Sequence, residues 1–477
     1  MRPLALVVVP LLACLGLVLP VIRARVTVFL IGVAIVTSAV AALEAVVPFD
    51  QPLLDHLVRV DATSRLFLAV INPIFLGVSV YVWNRVATTP ALRDGMVRFT
   101  GFALVFLAAS NAVLIANHLM VVWIALEVTA LTAAALIVRA GVRSSYQASL
   151  RYLLFSSVGL GFVLLGILCL TRGMEATGQT PAFFIDELPA LAKGEAGPWR
   201  ELGVALMILG LGTKLGLAPM YSWLPEAYDE APPAVTALLA AVQFNCALVM
   251  LFRIVHVYRP GSEGLITGIL VGLGIISMAI STVSIIATRN IKRLIAYASI
   301  NHAGVIAIGL GVGKSASYGL MLYVISNAFI KAILFLTAGK IKAHYRTKDT
   351  RQISGLVKDL PYSGVFLMVG TFALLGFPPF GSFVGELLIL SALVSSHQLL
   401  VFAAFCALIT MSFVATGRTI FPMIWGQPRE QNDWPRQTFL SAAPKIGFLV
   451  ALLVLGIYIP PVINNLIQQV ATSLEGR

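Results

Sequence analysis

The sequence has little charge for its length, and acidic residues are especially scarce. Of its 477 residues, 11% are charged and 59% are hydrophobic, and 33 Lys and Arg residues stand against 21 Asp and Glu residues. A soluble domain carries about 25% charged residues. The composition therefore excludes an ordinary soluble protein and predicts an all-α polytopic membrane protein.

Cofactor and catalytic motifs are also missing. The four cysteines, Cys14, Cys169, Cys246 and Cys406, are isolated within apolar stretches and form no CxxC pair. This spacing argues against disulfides, iron–sulfur clusters and zinc sites. A phosphate-binding lysine loop, GxSxG and HExxH are absent as well. We expect no metal, no cofactor and no catalytic centre in this chain, and whether it serves an enzyme complex stays open.

The net charge of +12 raises the question of nucleic acid, but the basic residues lie in short loops between apolar spans. That distribution is typical of membrane orientation, with the lipid bilayer rather than nucleic acid as the partner. If the N-terminus is outside, about two thirds of the 33 Lys and Arg residues fall in inside loops. This bias predicts a cell inner membrane protein with both termini on the outer, periplasmic side.

The apolar stretches predict about fourteen transmembrane helices, each needing roughly 20 residues. Two of them are interrupted. The seventh, residues 202–222, contains Pro219, and the twelfth, residues 362–394, contains Pro378 and Pro379. Broken helices at membrane depth mark the working site in transporters. Because the two breaks lie five helices apart, we expect two five-helix repeats of inverted topology.

This interpretation divides the chain into four regions. They are residues 1–97 with helices 1–3, residues 98–256 as the first repeat with helices 4–8, residues 264–424 as the second repeat with helices 9–13, and residues 425–477 with helix 14.

Four charged residues interrupt apolar runs where charge is costly. They are Lys214, Lys331, Glu127 and Glu386. A charged side chain at mid-bilayer costs about 2.5–3.5 kcal/mol on insertion scales. Such residues usually have a partner and a function, so the sequence predicts a protein that moves ions.

Each buried charge has an alternative interpretation. Glu127 could form a structural ion pair with Lys214, or the two could be a proton-relay pair in which movement of the carboxylate changes the proton affinity of the amine. Lys331 allows the same choice between a structural pair and a relay. Glu386 follows the second helix break, where it could accept protons at the exit or only cap the half-helix.

Polar neutral residues lie near these charges in the sequence. His302, between the two lysines, could pass protons or could be a hydrogen-bonded core residue. Accessory residues that could hold water, or that form an acidic inside loop, are Gln243, Asn245, Glu226, Asp229 and Glu230.

Four stretches resemble one family of membrane proteins. They are GTKLGLAPMYSWLPEAYDEAPPAV (212–235), RNIKRLIAYASINHAG (289–304), SNAFIKAILFLTAGKI (326–341) and GFPPFGSFVGELLIL (376–390). Together they resemble the antiporter-like subunits of respiratory complex I, membrane-bound hydrogenases and multisubunit cation/proton antiporters. The order of the four motifs makes the resemblance specific.

The resemblance implies fourteen helices, two inverted repeats and a central hydrophilic axis that joins half-channels. It places the family's glutamate of helix 5 on Glu127 and its lysine of the broken helix 7 on Lys214. It also implies that Lys331 is the lysine of the second repeat, that Glu386 is the terminal carboxylate, and that His302 is the histidine found in some members.

Two departures from the family pattern matter. Many members have a lysine or histidine where Asn245 stands, so the link between half-channels would here depend on water and His302. The usual WLPDAH is WLPEAY at residues 223–228. Both features are most similar to the hydrogenase-4 component F group.

The leading hypothesis is a subunit that moves protons through a Glu–Lys–His–Lys–Glu relay and couples this movement to redox chemistry or transport in partner subunits. Alternatives are a proton channel that energises inorganic carbon uptake with a soluble zinc-binding partner, a cation/proton antiporter subunit, and a passive membrane scaffold. Co-purifying proteins would separate the subunit coupled to redox chemistry from the channel for inorganic carbon uptake, since the channel residues do not.

Overall fold

The computed structural model describes residues 2–49, 51–176, 178, 180, 183–191, 197–427 and 439–474. Those residues are almost entirely helical, and within them only isolated β-bridges occur, with no β-strand. The all-α prediction is confirmed.

The helices follow one another with short connections. The N-terminal helices are α1 (Arg2–Gly16), α2 (Pro20–Ala24), α3 (Val26–Val46) and α4 (Ala62–Thr88). The next group is α5 (Met96–Ile115), α6 (Leu119–Ile137), α7 (Arg143–Ala176), α8 (Leu188–Leu191), α9 (Pro198–Leu215), α10 (Trp223–Glu230), α11 (Pro233–Leu238) and α12 (Phe244–Tyr258). The remaining helices are α13 (Glu263–Ala287), α14 (Ile291–Val312), α15 (Ser317–Tyr345), α16 (Leu356–Asp359), α17 (Pro361–Leu374), α18 (Gly381–Ser395), α19 (Leu399–Trp425), α20 (Phe439–Ile457) and α21 (Pro461–Leu474).

Eleven helices in the described ranges are long and apolar enough to cross a membrane. They are α3, α4, α5, α6, α7, α11 with α12, α13, α14, α15, α19 and α20. Three shorter apolar helices are α1, α17 and α18. The chain is therefore a multi-pass membrane protein. The count of fourteen stays a prediction, because the seventh and twelfth expected spans are each divided into shorter pieces.

The most buried helices form the centre of the molecule. The most apolar stretch is completely buried in the span made of α11, a π-helical segment (Leu239–Gln243) and α12, and also in α15, and it is almost completely buried in α14. By contrast, α3, α19 and α20 expose most of their length. The central helices carry Gln243, Asn245, His302 and Lys331, which shields these polar residues from lipid.

Glycines allow close packing in both halves. Gly159 of α7 lies against the backbone of Gly210 in α9, and Gly274 of α13 lies against that of Gly304 in α14. A Cβ at these positions would collide with the facing carbonyl. Small residues at membrane helix interfaces have this effect generally, so the backbones approach closely where helices must stay rigid.

Candidate functional site

The first helix break lies between α9 and α10. Helix α9 ends at Leu215, and the non-helical segment that follows contains Pro219 and the cis peptide bond before it. The Trp223 indole donates a hydrogen bond to the Thr213 carbonyl (2.9 Å), and the Ser277 hydroxyl accepts one from the Ala218 N–H (2.8 Å). These bonds satisfy backbone groups that the break frees, as a membrane interior requires.

The second break separates α17 from α18 and contains Pro378 and Pro379, again with a cis peptide bond between them. The Ser382 hydroxyl donates to the Ala373 carbonyl at 2.7 Å. Gly376 adopts a positive φ of 66°, and a side chain there would collide with the carboxylate of Glu386. The break therefore provides the space that Glu386 occupies.

Lys214 lies in the last turn of α9 and is buried. Its amine donates a hydrogen bond to the Leu126 carbonyl of α6 at 3.3 Å. Glu127, the next residue on α6, interacts with Lys214 electrostatically, but no salt bridge joins the two. The structure therefore brings this predicted pair together as neighbours and not as a closed ion pair.

Glu127 is half-buried, which is less than the apolar run around it led us to expect. The Ser157 hydroxyl donates to one carboxylate oxygen at 3.0 Å, and the other oxygen is buried without a hydrogen-bond partner. Ile124 and Leu131, on the same side of α6, are 52% and 51% exposed. Glu127 therefore borders the outer face of the molecule, because helical residues three and four apart share a face.

Gln243 connects this region to the centre. Its amide donates a hydrogen bond to the hydroxyl of Tyr152 at 2.5 Å, and both side chains are buried. Tyr152, on α7, interacts electrostatically with Glu127. The sequence analysis did not identify Tyr152, since a single tyrosine in a long amphipathic helix carries no distinguishing signal.

Asn245 lies two residues beyond Gln243, at the start of α12. Its amide nitrogen donates to the Ala241 carbonyl at 2.6 Å, while its side-chain oxygen is buried without a partner. Phe244, between them, places its ring under the amine of Lys331, 3.7 Å from the ring centroid. A cation over an aromatic face is attracted to the ring, so Phe244 links α12 to α15.

Lys331 is buried in the middle of α15. In the described parts of the chain it forms no ion pair with any carboxylate, and its contact with Phe244 is cationic–aromatic. The structural ion pair considered as an alternative for Lys331 is therefore not seen. Its charge acts electrostatically on His302 of α14.

His302 and Tyr323 extend the polar series. Nδ1 of His302 shares a short hydrogen bond with the Tyr323 hydroxyl, and both side chains are buried. Tyr323, on α15, interacts electrostatically with Glu386 of α18. Tyr323 is a second residue that the sequence analysis missed. Glu386 itself is half-buried and faces Gly376, and no side-chain hydrogen bond caps the start of α18.

The acidic residues around α10 are held in salt bridges. Asp229 binds Arg293 (3.3 Å) and Lys348 (3.0 Å). Glu230 binds Lys348 (3.1 Å) and Arg139 (2.7 Å). These contacts tie α10 to α14 and to the loops that contain Arg139 and Lys348, so both acids have a structural role whether or not they also hold water.

Glu226 is paired in the same way, with Arg151 at 2.5 Å. The surroundings of Glu230 shift its pKa. Burial alone would raise its pKa, but hydrogen bonds from Lys348 and Ser144, together with the charges of Lys348 and Arg139, lower the pKa of Glu230 to about 2.

Two more lysines, Lys292 and Lys445, are buried. The Lys292 amine donates to the carbonyls of Asp229 (2.9 Å) and Ala231 (2.8 Å). The Lys445 amine lies over the ring of Phe366, 4.9 Å from its centroid. Lys292 is the second residue of α14 and Lys445 lies within α20, and the sequence around each does not distinguish a buried amine from an exposed one.

Residues 116–412 match the family described as NADH:quinone oxidoreductase/Mrp antiporter, TM. The chain belongs to this family. The matched range includes both helix breaks and all the residues from Glu127 to Glu386 described above, which confirms the resemblance inferred from the four motifs.

Individual relatives agree with this assignment. The chain is 28% identical over 385 residues to a hydrogenase-4 component F homolog of Methylacidiphilum infernorum, covering 76% of this chain and 77% of the relative. It is 29% identical over 368 residues to NADH-quinone oxidoreductase subunit N of Desulforudis audaxviator, covering 72% and 71%.

Among solved structures, a chain of the membrane-bound sulfane sulfur reductase, an archaeal respiratory membrane complex, superposes with a TM-score of 0.87. The match covers 99% of this chain and 97% of that one, at 22% identity. At this identity the likeness concerns the fold.

Proposed function

We propose that this chain is a proton-translocating subunit of a multisubunit membrane complex. The observation that carries the proposal is one series of buried polar groups that begins at Glu127 and Lys214 and reaches Glu386 through the most buried helices. Protons would be taken up in the first half from the inside, and would leave near Glu386.

The Glu127–Lys214 pair suits an electrostatic gate. The amine and the carboxylate are neighbours without a closed salt bridge. At an effective dielectric of about 20, closing such a pair to 4 Å is worth roughly 4 kcal/mol before desolvation. That is about a thousandfold in the protonation equilibrium of the amine. A small movement of Glu127 would therefore bind or release a proton.

The two halves would act in series. Gln243 and Asn245 lie between Lys214 and Lys331 in the sequence, and among the described residues the side-chain oxygen of Asn245 has no hydrogen-bond partner. An unpaired buried oxygen of this kind is a place where water can bind. We propose that water here bridges the halves.

We also propose that residues 98–256 and 264–424 are inverted five-helix repeats. Fourteen helices would span the cell inner membrane, with both termini outside.

The outer face beside Glu127 supports assembly with other subunits. Ile124, Leu131 and Leu154 are 52%, 51% and 63% exposed there, next to a carboxylate with one unpaired oxygen. A neighbouring subunit would cover this face and complete the surroundings of Glu127. The named relatives suggest hydrogenase-type or quinone-reductase partners that perform the redox chemistry.

A cation/proton antiporter subunit is the second candidate, because the matched family also includes Mrp antiporters. Lys214 and Lys331 favour protons, since a sodium site needs several oxygen ligands. None of the similarities described above favours inorganic carbon uptake, so a zinc-binding partner is kept only as a possible result of the test below.

The test begins with purification of the tagged chain in mild detergent and identification of the proteins that accompany it. Hydrogenase or quinone-module subunits support the proposal, whereas a carbonic-anhydrase-like zinc protein or no partner at all contradicts it. The purified complex is then placed in lipid vesicles, and proton and sodium movements are measured during turnover.

Lys214→Ala and Glu127→Gln should each lower proton movement at least about ten-fold while the complex still assembles. Lys358→Ala, at an exposed position outside the spans, is the control and should pump normally. Unchanged pumping by both Lys214→Ala and Glu127→Gln would refute the relay, and turnover-dependent sodium movement would favour the antiporter.

A further inference from the structure

A groove of about 840 Å³ opens between the ends of α13 and α19, on the side of the loop that follows α13. It lies outside the polar series described above and shares no residue with it. Helices α13 and α19 pack against each other and form its two walls. Thr288, Arg289, Thr350 and Arg351 also line it.

Three arginines line this groove: Arg289, Arg351 and Arg418. All three are exposed, and no acidic residue is among the lining residues. In the described part of the chain, none of the three guanidinium groups has a hydrogen bond or a salt bridge to the protein. Three adjacent guanidinium groups repel one another unless an anion lies between them, so the groove is built to accept negative charge from outside the chain.

The backbone fixes two of the arginines beside each other. The Thr350 N–H donates to the Arg289 carbonyl at 2.8 Å, and the Ile291 N–H donates to the Lys348 carbonyl at 3.1 Å. The Asp349 carboxylate accepts from the Arg351 N–H at 3.0 Å. These bonds hold the two backbone segments side by side, so Arg289 and Arg351 extend from fixed neighbouring positions.

The nearest buried carboxylate is already neutralised. Asp229 accepts from Asn290 at 2.9 Å and is paired with Arg293 and Lys348. Its salt-bridge partners are thus Arg293 and Lys348, and not Arg289 or Arg351. The local excess of positive charge is a property of the folded protein and not a result of side chains left in arbitrary positions.

The rest of the lining is apolar and faces outward. Ile286 is 60% exposed, and Met411 and Val414 of α19 are 50% and 59% exposed. Arg418 follows Val414 by four residues, so the three α19 side chains lie along one side of the helix. The groove therefore has a basic end and an apolar end.

The position of Arg418 relative to the membrane is informative. It lies seven residues before the end of α19 at Trp425, which is about 10 Å along the helix. An arginine at that depth extends its guanidinium toward the surface. The basic end of the groove then lies at the level of lipid headgroups, and Met411 lies deeper, at the level of acyl chains.

We propose that this groove binds an anionic phospholipid. The phosphate would accept hydrogen bonds from Arg289, Arg351 and Arg418, and an acyl chain would lie against Ile286 and Val414. Arginine recognises phosphate in this way through its planar fork of donors, and basic pockets between membrane helices hold acidic headgroups. The apolar end favours a lipid over free phosphate, because free phosphate would leave it uncovered.

The experiment uses the complex in phosphatidylcholine vesicles that contain a small fraction of photoactivatable phosphatidylglycerol. After illumination, the labelled peptides are mapped. Label should appear on the ends of α13 and α19, and unlabelled phosphatidylglycerol should compete for the site much better than phosphatidylcholine.

A triple variant, Arg289→Gln with Arg351→Gln and Arg418→Gln, should require on the order of 100-fold more phosphatidylglycerol to reach the same labelling. Each arginine near a lipid phosphate contributes roughly five-fold to the affinity. The matched control changes three other exposed arginines, Arg93, Arg98 and Arg143, to Gln. This control variant loses the same net charge as the triple variant of the groove, and it should be labelled like the wild type.

Equal labelling of the triple variant and the wild type would overturn the proposal. So would competition by inorganic phosphate at the same concentration as the lipid, or a cross-link from this groove to a partner subunit in place of lipid. If the triple variant does not fold, Arg418→Gln and Arg418→Lys are compared, and only the glutamine variant should lose label.

Discussion

His302 and Tyr323 are joined by a hydrogen bond between Nδ1 of the imidazole and the phenol hydroxyl, inside the second half of the molecule. The bond connects α14 with α15 through one nitrogen of the His302 ring. Since Tyr323 also interacts with Glu386, the pair lies between Lys331 and the proposed exit.

Tyr323→Phe should slow proton translocation about ten-fold, because the histidine loses the hydroxyl that orients its ring. The measurement is proton uptake by vesicles containing the reconstituted complex. Tyr318→Phe is the control, since Tyr318 lies on the same helix and its hydroxyl also donates one hydrogen bond, to Asn464 at 2.7 Å. Equal rates for the two variants would remove Tyr323 from the relay.

Lys331→Met should abolish translocation while the complex remains intact, because methionine keeps the apolar contact with Phe244 but holds no proton. Lys445→Met is a closely matched control, since Lys445 is equally buried and also lies over a phenylalanine ring. The same vesicle assay should show normal rates for Lys445→Met. If both substitutions reduce transport to the same extent, buried lysines matter here for folding and not for relay.

The sequence predicts the broad architecture well because apolar length and helix-breaking prolines act locally. Eleven spans are long enough to be recognised in both the sequence and the structure. The divided regions around Pro219 and Pro378 are harder to recognise as membrane spans, since each break leaves pieces too short for the usual length criterion. Lys214 is conspicuous in the sequence because its neighbours in the chain are all apolar or small.

The relations between helices were not predictable in the same way. Tyr152 and Tyr323 belong to the polar series through partners 91 and 21 residues away, and nothing in their own neighbourhoods distinguishes them. Glu127 lies near the outer face because of how α6 packs, which a run of apolar residues does not reveal. Lys445 is buried by tertiary contacts alone.

Gly376→Ala should displace Glu386 and reduce translocation. The substitution has two effects, because alanine is strained at a φ of 66° and its Cβ would meet the Glu386 carboxylate. Gly95→Ala separates them, since Gly95 has a φ of 94° and nothing within 4 Å of an added Cβ. Both variants should lose roughly 1 kcal/mol of stability, and only Gly376→Ala should lose transport. Equal transport by both would mean that Glu386 tolerates displacement.

Stability toward acid should depend on Glu230. Its pKa in the folded protein is about 2, below the ordinary value of 4.5, because Lys348, Ser144 and Arg139 outweigh the effect of burial. A lowered pKa contributes stability that is complete above about pH 4.5 and is lost as the pH falls toward 2. After allowance for screening by solvent, the contribution is on the order of 1–2 kcal/mol.

The measurement is thermal unfolding of the purified chain in mild detergent, followed by tryptophan fluorescence between pH 7 and pH 3. Glu230→Gln should lower the unfolding temperature at pH 7 and should flatten its decline between pH 4.5 and pH 3. Glu175→Gln serves for comparison, because the Glu175–Arg172 pair is largely exposed and should contribute little. If Glu230→Gln declines with acid as steeply as the wild type, protonation elsewhere accounts for the acid sensitivity, and the salt bridges of Glu230 do not hold α10 in place.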